Sequence, residues 1–365
     1  MKNVDGRNID PALGRLEGEG AQVRVENRAA AFPGRRRALD EIPSEATEDE
    51  GTPTYYGQPA IKQPTWIWSI PLYFYVGGVA GASAVLGAAA QLTGDDALRP
   101  LVQRCRWVAA VGSAASAGLL IHDLGKPARF LNMLRVFRPT SPMNVGTWVV
   151  SGAGAASGTA AVFGKGRIGD AAGLAAGVLG LPFAGYTAVL ISNTAVPLWQ
   201  ASRRSLPVLF VASAAAGTGS LFSLFDQPPR QARITRRLGI AGKVVELVAA
   251  RAVEREAART PRVARPLHEG LSGALWKAAK WLDLASLALD LAPGDTRAQR
   301  RAAGIAGTIG SIALRYAVMR AGKRSAADPV ATFRQQRDGY GASEVTGRAA
   351  PTGPAAEAVT REART

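Results

Sequence analysis

Polar stretches alternate along the chain with apolar runs of about 20 residues, the length that carries a helix across the hydrocarbon of a bilayer. Such runs occupy about 66–92, 101–124, 145–163, 171–198, 206–225, 238–253, 271–291 and 302–319. Almost every charge lies in the first 65 residues, the last 45, or short clusters between the runs. A soluble fold does not need that segregation, whereas helices that traverse lipid do. The pattern predicts an all-α, polytopic membrane helix bundle of about eight transmembrane helices over 65–322, between a disordered polar tail at 1–64 and a second polar tail at 323–365.

Within the runs, residue choice refines the picture. The first opens with Trp66, Trp68, Tyr73 and Tyr75, whose amphipathic rings favour the membrane interface, and continues through Gly77, Gly78 and Gly81, which permit close helix approach. Gly154 and Gly158, and Gly173 and Gly177, stand at small-xxx-small spacing, and Gly304, Gly307 and Gly310 lie along the last run. The connection 126–144 carries Arg129, Arg135 and Arg138 among Phe130, Leu131, Met133, Leu134, Val136 and Phe137, and reads as an amphipathic interfacial helix closed by Pro139. The sixth run contains Lys243 and Glu246, and the seventh Lys277, Lys280, Asp283 and Asp290. Charge inside a span must face the bundle, a cavity or water, so Glu246 is either functional or the mark of a helix close to an interface.

The formal net charge of +16 raises nucleic acid as a partner, but the basic residues flank apolar runs and form no stripe interleaved with stacking aromatics. They are expected to meet anionic lipid, and no nucleic acid. A single cysteine, Cys105, excludes an intrachain disulfide and a cluster held by four thiolates of this chain. His122 and His268, each near a predicted helix end, argue against a buried bis-histidine haem. No cleavable leader pattern precedes the first run, which is expected to act as the insertion signal. Lys and Arg are balanced between the two sets of loops, and the long basic tails favour both termini in the cytoplasm, at the cytoplasmic membrane.

Three stretches are more specific. They are Trp68-Ser-Ile-Pro-Leu-Tyr-Phe-Tyr-Val-Gly-Gly-Val-Ala-Gly81; Asp123-Leu-Gly-Lys-Pro-Ala-Arg-Phe-Leu-Asn-Met-Leu-Arg135 with Ser141-Pro-Met-Asn-Val-Gly-Thr-Trp148; and Tyr186-Thr-Ala-Val-Leu-Ile-Ser-Asn-Thr-Ala-Val-Pro-Leu-Trp199. In order and spacing, over about 66–325, they resemble the NrfD/PsrC family, the membrane subunits of polysulfide-reductase-type complexes. The resemblance implies a quinone-reactive membrane subunit, using menaquinone or ubiquinone. It exchanges electrons with an iron-sulphur subunit that contacts a catalytic subunit, often of molybdopterin type, and carries no haem or metal itself.

A quinone site needs an apolar slot, hydrogen-bond partners for two carbonyls and a proton path that meets water. Tyr73, Tyr186, His122 and Asp123 are suitable groups near the ends or interior of spans one, two and four. The resemblance places Tyr186 at a quinone-bonding tyrosine, and Tyr73 where some members have histidine. Tyr73 and Tyr186 are thus candidate quinone ligands, and Asp123 and His122 candidate proton carriers. Tyr73 reads equally as a belt aromatic, and Asp123 equally as a cap or a partner of Arg129. A secondary transporter and a purely structural anchor are the competing functions, and a proton relay through Asp123, Glu246 and Lys243 is a further possibility.

Overall fold

The computed structural model describes residues 9–10, 15–16, 61–294 and 296–337. The expected tail 1–64 therefore lies outside the described residues, apart from 61–64 and a short antiparallel pairing of Ile9 with Leu16 and Asp10 with Arg15. The rest is helical. In chain order the helices are α1 (Ser69–Leu92), α2 (Arg99–Leu124), α3 (Pro127–Met133), α4 (Pro142–Phe163), α5 (Arg167–Ser192), α6 (Pro197–Ala201), α7 (Ser205–Phe222), α8 (Pro229–Ala257), α9 (Pro261–Ala264), α10 (Gly270–Leu291), α11 (Arg297–Ala327) and α12 (Pro329–Arg337).

Eight of these are long, and the connections between them are short, so neighbours in sequence run in opposite directions. By length and apolarity alone, α1, α2 with the turn before it, α5, α7 and α11 qualify as membrane-crossing helices. The contacts arrange the eight as two four-helix rings. In the first, α1 packs on α2, α2 on α4, α4 on α5 and α5 back on α1; in the second, α7 packs on α8, α8 on α10, α10 on α11 and α11 back on α7. Helix α1 joins the rings by also meeting α7 and α11. The protein is an all-α, multi-pass membrane helix bundle. One end, here end A, gathers the start of α1, the end of α2, α3, α6, α9 and the end of α11. The opposite end B gathers the short loops after α1, α4, α7 and α10.

Close approach of the backbones holds the first ring together. A Cβ placed on Gly81 would lie 2.6 Å from the Gly180 carbonyl oxygen, and one on Gly180 would lie 2.5 Å from that of Gly81. Only glycine allows α1 and α5 to touch there, and in lipid such packing stands in for the hydrophobic drive available in water.

Two apolar runs differ from the expectation. The run 171–198 is not one helix: α5 stops at Ser192, and α6 begins at Pro197. Pro197 disfavours helical backbone in the residue before it. The Asn193 side chain also donates to the Val189 carbonyl at 2.8 Å, and the Thr194 hydroxyl to that of Ile191 at 2.6 Å, closing the end of α5. The run 238–253, in contrast, lies inside a helix of 29 residues. Its polar extensions are anchored: Gln231 donates to the Ala97 carbonyl at 2.9 Å near end B, and near end A Glu254 meets Lys280 at 2.5 Å and the Trp276 ring N–H at 2.7 Å. Helical structure also continues past 322, with Ser325, Ala326 and Ala331 buried. Among the charged residues of α8, Glu246 is buried and faces the bundle.

Replacing Gly81 by leucine is expected to destabilise the fold by about 1–3 kcal/mol through overpacking. Gly118→Ala, where a Cβ meets nothing within 4 Å, is expected to leave it unchanged. Thermal melting of the detergent-solubilised variants, followed by size-exclusion chromatography, checks the pair.

Candidate functional site

The first ring opens at end A into a recess lined by Trp66, Ile70, Tyr73, Phe74, Leu120, Asp123, Leu124, Met133, Met143, Thr147, Tyr186 and Leu190. Helices α1, α2, α4 and α5 all contribute to its wall, so it is a property of the ring and not of one helix. The lining is mainly apolar, and its polar groups are the two phenols, the Asp123 carboxylate and the Thr147 hydroxyl.

Each motif stretch has a local job in building this recess. In the stretch 141–148, Ser141 accepts from the Asn144 N–H at 3.4 Å as the N-cap of α4, with Pro142 in the first turn. Asn144 then ties down the chain before it. Its side chain donates to the Met133 carbonyl at 2.6 Å and the Val136 carbonyl at 3.0 Å, and accepts from the Arg138 N–H at 2.7 Å. Thr147 donates to the Met143 carbonyl at 3.0 Å, which fixes the wall between them. Gly146 leaves room for a ring: a Cβ there would fall 2.2 Å from Cε2 of Tyr186. Tyr186 also lies nearly parallel to Phe183, with centroids 6.5 Å apart.

Tyr73 is buried, and its hydroxyl has no hydrogen-bond partner within the protein. A buried unpartnered hydroxyl costs free energy on the order of 1–3 kcal/mol, so a hydrogen-bond partner from water or a ligand in the recess would stabilise it. Asp123 sits at the edge of the recess, only partly exposed, and one of its oxygens accepts from the Ile67 N–H at 3.0 Å. Arg129 is not its partner; that guanidinium donates to the Leu124 carbonyl at 3.2 Å. His122 does not line the recess. It is exposed on the outer side of α2, with its ring 5.6 Å from that of Trp68. The structure thus brings Tyr73, Tyr186 and Asp123 together and leaves His122 beside them at the surface.

A segment running from Ile61 to Trp68 lies along the recess, and both halves of the bundle hold it. Lys323 donates to the Trp66 carbonyl, Tyr316 donates to the Trp68 carbonyl at 2.9 Å, and Trp66 stacks on Trp199 with centroids 5.9 Å apart. Trp199 is fixed by its own N–H, donated to the Val318 carbonyl at 2.9 Å. Lys323 also lies close enough to Asp123 to attract its charge. The sequence reading put Lys323 in the polar tail, because its partner Trp66 lies 257 residues away, and gave Asn144 no role, because its bonds to 133–138 depend on how that connection folds back on α4.

Among the described residues, no three His, Cys, Asp or Glu side chains gather as metal ligands. A family model described as NrfD_2, polysulfide reductase, matches residues 52–328, more than half of the 365-residue chain. No curated protein matches the chain.

Asn144→Ala removes three hydrogen bonds to the segment 133–138. It is expected to cost about 2 kcal/mol and to raise hydrogen exchange in that segment selectively, which mass-resolved exchange of the solubilised protein measures.

Proposed function

The chain belongs to the polysulfide reductase family, and on that premise we propose that it is the quinone-binding membrane subunit of an oxidoreductase complex, passing electrons between quinone and an iron-sulphur partner. The observation that carries this reading is the buried, unpartnered Tyr73 hydroxyl in an apolar recess that also holds Tyr186 and Asp123.

The recess fits the group. Its apolar lining suits a ring with an isoprenoid tail, and its two phenols are donors for two carbonyl oxygens. A bound quinone supplies a carrier of two electrons and two protons. The residues of the chain do the rest. Tyr73 and Tyr186 donate hydrogen bonds that orient the ring. Asp123, held through one oxygen by the Ile67 N–H, has its other oxygen available to take or give a proton. His122, one residue away and exposed on the outer side of α2, lies near that carboxylate at the surface. Lys323 biases the local charge at Asp123.

End A is also where a partner has to sit for electrons to travel a short distance. Helix α3 and the segment after it expose Arg129, Arg135 and Arg138 together with Leu131, Val136 and Phe137. This mixture of charge and apolar surface suits a membrane interface and an acidic iron-sulphur protein docked on it. A molybdopterin-type catalytic subunit would lie beyond that protein.

Purification from native membranes in mild detergent is expected to recover an iron-sulphur protein, a large oxidoreductase and extractable quinone. Recovery of the chain alone, without quinone or redox partner, would favour the transporter. In the intact complex, Tyr73→Phe and Tyr186→Phe are each expected to weaken quinone use about tenfold, the effect of one lost hydrogen bond of about 1.4 kcal/mol. Asp123→Asn is expected to slow turnover by about a hundredfold and to change its pH profile, as removal of a proton carrier should. Steady-state quinol oxidation measures all three.

A further inference from the structure

The second ring contains a buried cluster of ionisable side chains that the recess does not use. Lys243 and Glu246 come from α8, Asp283 and Asp290 from α10, and Arg315 from α11. All five are buried, and the least so, Asp290, is 7% exposed. Charges in such a place are retained only when paired, solvated inside the protein, or protonated.

Pairing accounts for part of the cluster. Lys243 and Asp290 form an ion pair at 2.5 Å. Arg315 lies over the Phe210 ring with its central carbon 3.8 Å from the centroid, and donates to the Phe210 carbonyl at 2.9 Å. The remainder is unresolved by pairing. Neither oxygen of Glu246 meets a donor in hydrogen-bonding geometry, although Asp283, Ser213, Lys243 and Arg315 surround it. Asp283 Oδ1, the hydroxyls of Ser213 and Ser311, and two nitrogens of Arg315 are also buried without a partner.

Charge counting identifies what is missing. Of the five, Lys243 is taken up by Asp290, whose carbonyl also accepts from the partly buried Arg236 of α8 at the outer edge, so the adjacent acids Glu246 and Asp283 are left to share the one cation Arg315. Glu246 and Asp283 are neighbours, and two adjacent carboxylates become hydrogen-bonded to each other only when a proton lies between them. A metal cation would meet repulsion from the flanking Lys243 and Arg315. A proton supplies the missing hydrogen bond between the two carboxyls. Around the pair, Lys243 faces it from α8, Arg315 from α11 and Ser213 from α7, with Asp290 of α10 behind Lys243 and Tyr75 of α1 beside Arg315 and Thr308.

The cluster also has a direction. Asp290 is the penultimate residue of α10, at end B, and Asp283 lies two turns further in, about 10 Å along the helix axis. On the inner side Arg315 rests on Phe210, which contacts Phe74 at 5.9 Å between centroids, and Phe74 contacts Tyr73 at 5.7 Å. Polar groups thus lead inward from end B and stop at a layer of rings beside the recess.

We propose that Glu246 and Asp283 together hold one exchangeable proton, with Asp290 and Lys243 as its route to water at end B, so that the second ring is a proton-transfer site separate from the recess. The site's existence does not depend on what occupies the recess.

The test is infrared difference spectroscopy of the full-length, detergent-solubilised protein in H2O and D2O near neutral pH. The expected result is the carbonyl stretch of a protonated carboxylic acid that shifts in D2O, moves when aspartate is 13C-labelled, and disappears in Glu246→Gln or Asp283→Asn. Asp290→Asn is expected to slow the D2O shift at least tenfold. Persistence of the label-sensitive band in Asp123→Asn, which removes the carboxyl of the recess, assigns it to the cluster even where a cluster variant does not fold. Absence of a protonated acid, a band that fails to exchange, a band insensitive to both the label and the variants, or its removal by sodium chloride would each overturn the proposal.

Discussion

The approach of α1 to α5 at Gly81 and Gly180 is the contact from which the rest of the bundle is positioned. Helix α1 packs in both rings, touching α2 and α5 on one side and α7 and α11 on the other, and α7 answers it by packing on α1 and α5. In lipid no apolar driving force separates these surfaces from their surroundings, so fit has to do the work. With the two backbones in contact, Tyr73 and Phe74 of α1 are brought against the α5 side chains Phe183 and Tyr186, and the recess takes its shape as a consequence. The opposite side of α1 carries Gly78, whose absent Cβ leaves space beside the Arg315 guanidinium.

The division into two rings separates two kinds of polar chemistry. In the first ring, the polar groups of the recess lie at end A and are few, each held by a specific neighbour or left to meet a ligand. In the second, charged groups start at end B and run inward. Between them lie Phe74 and Phe210, which conduct no protons and exclude water. Buried charge is costly in a bundle of this size, and a protein that only needed to anchor a partner would gain stability by replacing Lys243, Glu246, Asp283 and Asp290 with apolar residues of similar volume.

Much of this arrangement was legible in the sequence because lipid imposes so simple a grammar. The eight apolar runs correspond to the eight long helices, and the three motif stretches carried the family. What escaped the reading has a common cause. Pro197 and Asn193 divide the fourth run by local hydrogen bonding that average hydrophobicity does not register. The full length of α8 depends on polar contacts of Gln231 and Glu254 with residues far away in sequence. Tyr73, Tyr186 and Asp123 were found as candidates by residue type and resemblance, whereas Asn144 and Lys323 act through partners that only the folded chain supplies. Glu246 was left between two meanings until its burial was known.

The segment that runs along the recess is gripped by Tyr316 and Lys323, residues of the last long helix, and by Trp199, itself fastened to Val318. The order of synthesis is thereby written into the site. A ribosome delivers Trp66 and Tyr73 early and Lys323 some 250 residues later, so a partly made chain has the pocket's wall without the clasp that closes it. A nascent chain is in this way kept from adopting the finished pocket until the whole bundle has entered the membrane.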